Sequence, residues 1–469
     1  MKVRPAWRRE DHPAVARPDR ELLEGLSHHG YSHAVVAFID DAGYPLSVAT
    51  GFRPLPDRGA ILLEPIAGEG VAPPPGREVN VVFSHIRPRP GIGYDERRYV
   101  SLWGTLRPVE EGFEFVPERV QHWDEQEMTF FEYSERGVPQ ARRYLARLSE
   151  ATGRRVRPRL SPGWLFLRAT RLPFLSATAV PVFLGTAVAA LDGSFVWWLA
   201  LLTLVGAACV HLGLNVTNDV FDTLSGADEA NWTPTPYSGG SRVILYGLLT
   251  VREMALLAAG LYAVGLGLGV YLALARALWP LLAIGAIGTF LSLAYTAPPF
   301  RLVHRGVGEV AVGLGFGPVM TLGAYYVQAQ RFSWEALYAS LPVAILVALI
   351  LYVNEVPDRA GDALAGKRTL PVRLSRPAVI GGYVGAVGAA FGLLVGGVAA
   401  GVLPLPTLLA LAAAPLAVPV VRGLRASYDD PYGLMPAMWR NIQLHLATGT
   451  LMVLGYVVAT VARALYGGA

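Results

Sequence analysis

Residues 199–222 read LALLTLVGAACVHLGLNVTNDVFD, an apolar run that ends in an acidic cluster. A membrane-spanning helix needs about 20 apolar residues, and this run is long enough. Hydrophobic residues make up 53% of the chain and charged residues 16%, whereas soluble proteins carry roughly 25% charged residues. We therefore expect an all-α membrane bundle rather than a large soluble helical protein. The nine predicted spans are 173–191, 195–216, 252–275, 278–297, 307–329, 336–354, 378–401, 404–421 and 443–464.

Residues 1–160 have a different character, because they hold most of the charge and form short apolar runs between glycines and prolines. A turn is predicted at 41–45, a loop at 73–75 and a helix at 140–148. Several short strands with such turns are typical of a small β-barrel. The sequence thus predicts two domains, a soluble one over 1–160 and a transmembrane one over 161–469. The predicted strands are 33–40, 46–50, 60–64, 79–83 and 99–106.

The charges indicate how the chain lies in the membrane. The loops on one side of the predicted bundle carry eleven lysines and arginines, whereas the opposite loops carry three. The positive-inside rule places the basic side in the cytoplasm, and with it the N-terminal domain. We therefore expect a multi-pass protein of the cell (inner) membrane. The first 20 residues lack the apolar stretch of a signal peptide.

Two further bulk properties limit the function. The formal charge of +4, from 40 basic and 36 acidic residues, is too small to indicate a nucleic-acid partner. Cys209 is the single cysteine, so an intrachain disulfide is excluded.

Two acidic clusters end predicted spans on the basic side. In the first, Asn218 and Asp222 are four residues apart and share a helix face, with Asp219 close by. In the second, Asp358 and Asp362 have the same spacing. Carboxylates crowded at the edge of a bilayer repel one another unless a cation neutralises them. Mg²⁺ prefers oxygen ligands and bridges carboxylates to substrate phosphates, so a magnesium site is predicted.

Basic residues follow both clusters in the same loops. Ser241 and Arg242 lie beside a glycine pair, whose backbone N–H groups suit an anion. Lys367 and Arg368 follow the second cluster, and Arg301 follows Tyr295. A single Asp pair at a helix end is usually a cap, but two clusters with basic loops predict a prenyl diphosphate site. A transporter is the alternative, although transporter acids usually lie near mid-span.

At these residues the chain resembles the UbiA superfamily of intramembrane aromatic prenyltransferases, over about 160–465. The family pattern Asn-Asp-x-x-Asp-x-x-x-Asp is matched at 218–222, but Gly226 stands in the last position and Asp228 follows two residues later. The second pattern, Asp-x-x-x-Asp, is matched at 358–362, with Gly-Lys-Arg-Thr at 366–369. Segments 238–242, 298–301 and 317–323 are similar to the branch that prenylates 1,4-dihydroxy-2-naphthoate for menaquinone.

The resemblance implies a reaction between a polyprenyl diphosphate and an aromatic acceptor inside the lipid bilayer. Asp222, Asp358, Arg242 and Lys367 would carry catalysis, the cations by stabilising the departing diphosphate. Other acceptors remain open, as do the prenyl chain length and the base, for which Tyr295 and Glu355 are candidates. The implied Mg²⁺ ligands are Asn218, Asp219, Asp222, Asp358 and Asp362. The implied substrate contacts are Asn218, Ser241, Arg242, Tyr295, Arg301, Lys367 and Arg368.

The N-terminal part resembles split barrels of the pyridoxamine-phosphate-oxidase type, through residues 35–50 and 99–107. Members of that family bind FMN, haem or no cofactor, so FMN is a candidate ligand. A flavin phosphate site would use Arg53, Ser84 or Arg87. A bifunctional flavin and quinone redox protein is a further alternative, and a purely stabilising barrel would explain the fusion equally well.

Overall fold

The computed structural model describes residues 18–28, 30–39, 45–65, 76–90, 93–158 and 160–466. The chain forms two compact units, Met1–Ser134 and Glu135–Ala469. The division falls inside helix α2 (Phe130–Thr152), whereas the sequence places a domain boundary after it, at residue 160.

The N-terminal unit is a curled antiparallel sheet, which confirms the split-barrel prediction. Seven strands are present among the described residues, in the order β2-β1-β5-β6-β7-β4-β3, preceded by helix α1 (Arg20–Gly25). Alternate residues of β5, including Val79, Val81 and Phe83, point into the core because neighbouring side chains of a strand face opposite sides. The strands are β1 (Ala34–Ile39), β2 (Pro45–Thr50), β3 (Phe52–Leu55), β4 (Ala60–Leu63), β5 (Glu78–Arg89), β6 (Gly93–Val109) and β7 (Gly112–Asp124).

All five predicted strands are found, but β5 and β6 are longer than expected and β3 and β7 were not predicted. Strand β7 contains Pro117, which normally argues against an inner strand. Here Pro117 lies opposite Gly104, where the register between β6 and β7 shifts, so the sheet tolerates the missing donor. The loop predicted at 73–75 and residues 41–44 of the predicted turn lie outside the described residues.

The second unit is an all-α bundle, as predicted. In the part of the chain that the structure describes, nine helices are long and apolar enough to cross a membrane. Large apolar side chains such as Leu256, Leu274 and Trp279 face outwards, as lipid-exposed helices require. The nine spans are Leu172–Leu191, Trp197–Ser225, Val251–Ala275, Leu278–Thr296, Gly308–Ala329, Trp334–Leu364, Arg376–Ala399, Leu405–Ala426 and Met435–Tyr466.

Shorter elements join or subdivide these spans. The fifth span contains a π-helical turn, Gly315–Val319, and the eighth begins as a 3₁₀ segment, Leu405–Leu416. The helices are α3 (Pro162–Thr170), α4 (Ser176–Leu191), α5 (Trp197–Ser225), α6 (Ala227–Ala230), α7 (Val251–Ala275), α8 (Leu278–Thr296), α9 (Gly308–Leu314), α10 (Met320–Ala329), α11 (Trp334–Leu364), α12 (Leu370–Arg373), α13 (Arg376–Ala399), α14 (Ala417–Ala426) and α15 (Met435–Tyr466).

Helices α5 and α11 extend beyond their predicted ends at residues 216 and 354. The apolar run stops there, but the helical backbone continues for two more turns. The acidic clusters therefore lie on the last turns of the helices rather than in loops after them. Helical spacing then fixes the direction of each carboxylate.

Candidate active site

A polar cavity lies at the ends of α5 and α11 where the acidic clusters stand. Helix α5 contributes Asn218 and Asp222, and α11 contributes Asp358 and Asp362. The segment between α5 and α7, the loop after α11, the start of the first span and residues of α8 and the fifth span also line it. The lining carboxylates are Asp222, Asp228, Glu355, Asp358 and Asp362, and the lining cations are Arg171 and Lys367. The cavity is therefore acidic.

Lys367 joins the two acidic clusters. Its ammonium lies 2.8 Å from Asp222 Oδ1 and 3.4 Å from Asp362 Oδ1. Asn218 donates a hydrogen bond to the other oxygen of Asp222 at 2.9 Å, as the spacing of four residues predicts. Burial opposes the charged form of Lys367, but the Asp222 and Asp362 carboxylates outweigh it and raise the pKa of Lys367 above its usual value. Lys367 is therefore a permanent cation of the cavity.

The loop with the glycine pair binds two aspartates through its backbone. The Gly239 N–H donates to Asp358 Oδ2 at 2.9 Å, and the Ser241 N–H donates to Asp219 at 3.2 and 3.1 Å. Gly239 and Gly240 have φ values of 74° and 72°, which glycine adopts without strain. A Cβ on Gly240 would lie 3.0 Å from both Asp219 Oδ1 and Asp228 Oδ1. The glycines thus allow the backbone to approach the carboxylates closely.

Gly226, which departs from the family pattern, ends helix α5. Its φ is 82°, so it adopts the left-handed conformation in which helices commonly end. The chain then turns through α6 and brings Asp228 to the cavity, where Thr223 donates to it at 3.2 Å. Burial and the neighbouring Asp222 and Asp219 carboxylates raise the pKa of Asp228 well above its usual range. The displaced aspartate therefore still lies at the site.

The structure separates the predicted substrate contacts into three groups. Asn218, Tyr295 and Lys367 line the cavity. Arg301 and Arg368 are exposed to solvent. The Arg242 guanidinium donates to Glu135 and Asn231, and Ser241 is buried, as is the predicted metal ligand Asp219. The cavity lining among the described residues therefore does not include Asp219, Ser241, Arg242, Arg301 or Arg368.

Three lining residues did not follow from the motifs. Asn231 donates to Asp358 Oδ1 at 2.7 Å, and Arg171 donates to the Tyr237 carbonyl at 3.1 Å. The amide oxygen of Asn354 is buried and has no hydrogen-bond partner among the described residues. Arg171 and Asn231 both lie outside the two acidic clusters. The Asn354 oxygen can therefore still accept a hydrogen bond at the cavity wall.

The side-chain atoms available as metal ligands in this cavity suit a hard divalent cation. They are carboxylate and amide oxygens, and five carboxylates face two cations. In the described ranges no three His, Cys, Asp or Glu side chains converge on one point. Instead, Asp222 and Asp362 converge on Lys367. The chemistry of the set suits Mg²⁺, and the ammonium occupies the space between the carboxylates.

An apolar cavity adjoins the acidic one, with which it shares lining residues. Its empty space measures about 1120 Å³, a volume that includes space open to the surroundings. Helices α5, α7 and α8 and the π-helical turn supply most of the wall. The residues common to both cavities are His211, Leu214, Tyr295, Val312 and Phe316. The two adjoining cavities therefore suit a ligand with a charged head and a long apolar tail.

The UbiA prenyltransferase family matches residues 178–461, which include both acidic motifs and the helices around the cavities. The chain belongs to the UbiA prenyltransferase family. It is a multi-pass membrane protein and a prenyltransferase. The alternative interpretation as a transporter is therefore wrong.

Curated relatives agree with this assignment. The chain is 31% identical over 258 residues to a 2-carboxy-1,4-naphthoquinone phytyltransferase of Synechocystis, covering 54% of this chain and 80% of the relative. It is 37% identical over 179 residues to a 1,4-dihydroxy-2-naphthoate octaprenyltransferase of Mycobacterium tuberculosis, covering 38% and 59%. A Bacillus subtilis octaprenyltransferase for the same acceptor is 25% identical over 263 residues, covering 56% and 82%. These relatives place the chain in the naphthoate branch of the superfamily.

Solved structures include a UbiA homologue from Archaeoglobus fulgidus bound to DMAPP and Mg²⁺. It is 17% identical, with a TM-score of 0.43, and the match covers 62% of this chain and 99% of that one. A homologue from Aeropyrum pernix is likewise 17% identical, with a TM-score of 0.43 and coverage of 60% and 97%.

Proposed function

We propose that this protein transfers a prenyl group from a polyprenyl diphosphate to 1,4-dihydroxy-2-naphthoate, in a Mg²⁺-dependent reaction of menaquinone biosynthesis. The observation that carries this proposal is an acidic cavity that shares lining residues with an adjoining apolar cavity. The names of the Synechocystis, Mycobacterium and Bacillus relatives support the acceptor. The Mg²⁺ bound to the Archaeoglobus homologue accords with the cation.

The acidic cavity would bind the diphosphate and promote its departure. Mg²⁺ held by Asn218, Asp222, Asp358 and Asp362 would neutralise the diphosphate and polarise its bond to the allylic carbon. Lys367 directs its ammonium into the same space and stabilises the negative charge that grows on the departing oxygens. The carbon–oxygen bond breaks, and its electron pair leaves with the diphosphate.

The apolar cavity would hold the prenyl tail and exclude water. A carbon–carbon bond then forms between the allylic carbon and the electron-rich ring. The bond between the ring and the carboxyl group breaks, CO₂ leaves, the electron pair of that bond stays on the ring, and one proton is released to solvent. Water would compete with the ring for the allylic cation, so the apolar wall protects the reaction. Tyr295 and Phe316 stand where the two cavities meet, which is where the reacting carbon would lie.

The decisive experiment uses the purified protein in detergent with Mg²⁺, geranylgeranyl diphosphate and 1,4-dihydroxy-2-naphthoate, and detects products by mass spectrometry. We expect a prenylated, decarboxylated product that chelation abolishes and added Mg²⁺ restores. Transfer to other phenols but not to the naphthoate would overturn the acceptor assignment. Activity that survives chelation would overturn the metal assignment. FMN binding stays a prediction, and the absorption spectrum before substrate is added tests it.

Gly315 tests whether the apolar cavity holds the prenyl tail. It lies in the π-helical turn, and a Cβ there would meet Leu291 at 3.9 Å, so a larger side chain would enter the cavity without a backbone clash. Gly315→Leu is expected to lower turnover of geranylgeranyl diphosphate about tenfold relative to geranyl diphosphate, because the longer tail needs the filled space.

The matched control is Gly388→Leu in α13, where a Cβ has open space and the site lies outside the described cavity walls. It should leave the ratio of turnover with geranylgeranyl diphosphate to turnover with geranyl diphosphate unchanged. An equal fall for both diphosphates in Gly315→Leu, with the control intact, would place the tail elsewhere.

We also propose that the acidic cavity and the N-terminal domain face the cytoplasm, as the loop charges indicate. A cysteine at Asp429, between α14 and α15, would then be shielded in intact cells, and one at Phe332, between α10 and α11, would be accessible. Both variants are made in a Cys209→Ser background and labelled with an impermeant maleimide. Labelling of the Asp429 position before permeabilisation would reverse the orientation.

A further inference from the structure

Helix α2 carries a buried glutamate that pairs with Arg242. Glu135 Oε2 accepts a hydrogen bond from Arg242 Nη2 at 2.8 Å, and only 7% and 3% of the two side chains are exposed. The Tyr246 hydroxyl donates to the other oxygen of Glu135. Burial and then Glu135 raise the pKa of Tyr246 to about 12, so the phenol keeps its proton and remains a donor. The Glu135 carboxylate is thus held on both oxygens.

The same guanidinium binds the segment that carries two cavity residues. Arg242 Nη2 donates to the Asn231 carbonyl at 2.8 Å, and Arg242 Nη1 donates to the Asp228 carbonyl. The side chain of Asn231 in turn donates to Asp358, and the side chain of Asp228 lines the cavity. A continuous set of contacts therefore runs from Glu135 through Arg242 to the carboxylates.

The backbone at Arg242 needs this support. Its φ is 63°, a conformation that a residue with a Cβ adopts at a cost. The strained residue lies next to Ser241, whose N–H binds Asp219. Helix α2 contacts the same segment a second time, through an ion pair in which Arg142 Nη1 lies 4.0 Å from Glu229 Oε1 in α6. Anchoring of the guanidinium holds the loop in the shape that binds the aspartates.

We propose that Glu135 is a positioning residue for the diphosphate site, acting through Arg242 on Asp228, Asn231 and Asp358. This inference rests on the proposed function. It gives Arg242 a role different from direct contact with the diphosphate. It also explains why a helix that precedes the membrane bundle carries a buried carboxylate. Partners that orient metal ligands typically affect affinity by about 10–100-fold when they are removed.

The test compares Glu135→Gln with Glu150→Gln, an exposed glutamate on the same helix. Binding of a non-reactive thiolodiphosphate analogue of geranylgeranyl diphosphate is measured by calorimetry with Mg²⁺, without turnover. Glu135→Gln is expected to weaken binding about tenfold and to raise the KM for the diphosphate and the Mg²⁺ requirement. The KM for the acceptor should stay the same. Glu150→Gln should match the parent.

Tyr246→Phe provides a milder variant, because it removes a single hydrogen bond to Glu135 and keeps the ion pair. It should shift analogue binding in the same direction by a smaller factor. Folded Glu135→Gln and Tyr246→Phe proteins that bind the analogue as tightly as the parent would overturn the inference. If Glu135→Gln does not fold, an unchanged Kd in Tyr246→Phe alone overturns it. A parent protein that fails to bind the analogue would instead refute the proposed function.

Discussion

Asp358→Asn is expected to lower kcat/KM for prenyl transfer by roughly a thousandfold, the upper range for loss of one group that stabilises developing charge. Asp358 lies on the last turns of α11, where it accepts hydrogen bonds from Asn231 at 2.7 Å and Gly239 at 2.9 Å. Asparagine keeps the shape but loses the negative charge that a divalent cation requires. Steady-state kinetics in detergent measure the effect, with thermal unfolding to verify the fold.

Asp429→Asn is the control for this change. Asp429 pairs with Arg359 and Arg376 at the surface, away from the cavity, and its side chain is 68% exposed. Surface ion pairs contribute little, about 0–1 kcal/mol, so activity and stability should stay close to the parent. Near-normal turnover of Asp358→Asn at saturating Mg²⁺ would refute the role of α11 in binding the cation.

Lys367→Met is expected to lower kcat at least a hundredfold, because Lys367 is the cation placed between both acidic clusters. The ammonium is buried, and its removal leaves Asp222 and Asp362 to repel each other. The methionine retains most of the side-chain volume, so the packing of the loop after α11 is preserved. Single-turnover measurements would separate the chemical step from product release.

The neighbouring Arg368 provides the control for the substitution of Lys367. Arg368→Met removes a positive charge one position away, from a side chain that the structure places in solvent. We expect it to change kcat less than threefold, within the small range of surface electrostatics. A large loss in Arg368→Met would mean that the loop rearranges during catalysis and that the sequence-based substrate contact at Arg368 is right.

The bundle and the pairing of the acidic clusters could be predicted because both depend on local periodicity. Apolar length marks each span, and a spacing of four residues places Asn218 against Asp222, which the 2.9 Å contact reproduces. The ends of α5 and α11 could not be predicted from apolarity. There the helix continues through polar residues whose side chains face a cavity rather than lipid.

No sequence motif could predict the partner of Arg242, because Glu135 lies 107 residues earlier in the chain. A basic residue beside a glycine pair suggests an anion, but sequence cannot tell a substrate phosphate from a distant carboxylate. Strand β7 was missed for a related reason, because Pro117 is acceptable where the register shifts opposite Gly104. In both cases a contact distant in sequence overrides the local signal.

Gly226 shows how a family pattern can change its spacing while keeping its chemistry. A left-handed glycine stops α5, and the short turn of α6 returns an aspartate to the cavity two residues late. An alignment that demands acids at fixed intervals would count this chain as one carboxylate short. A substrate or metal binds an oxygen according to its position in space, so a change of spacing next to a helix end can leave the carboxylate at the site.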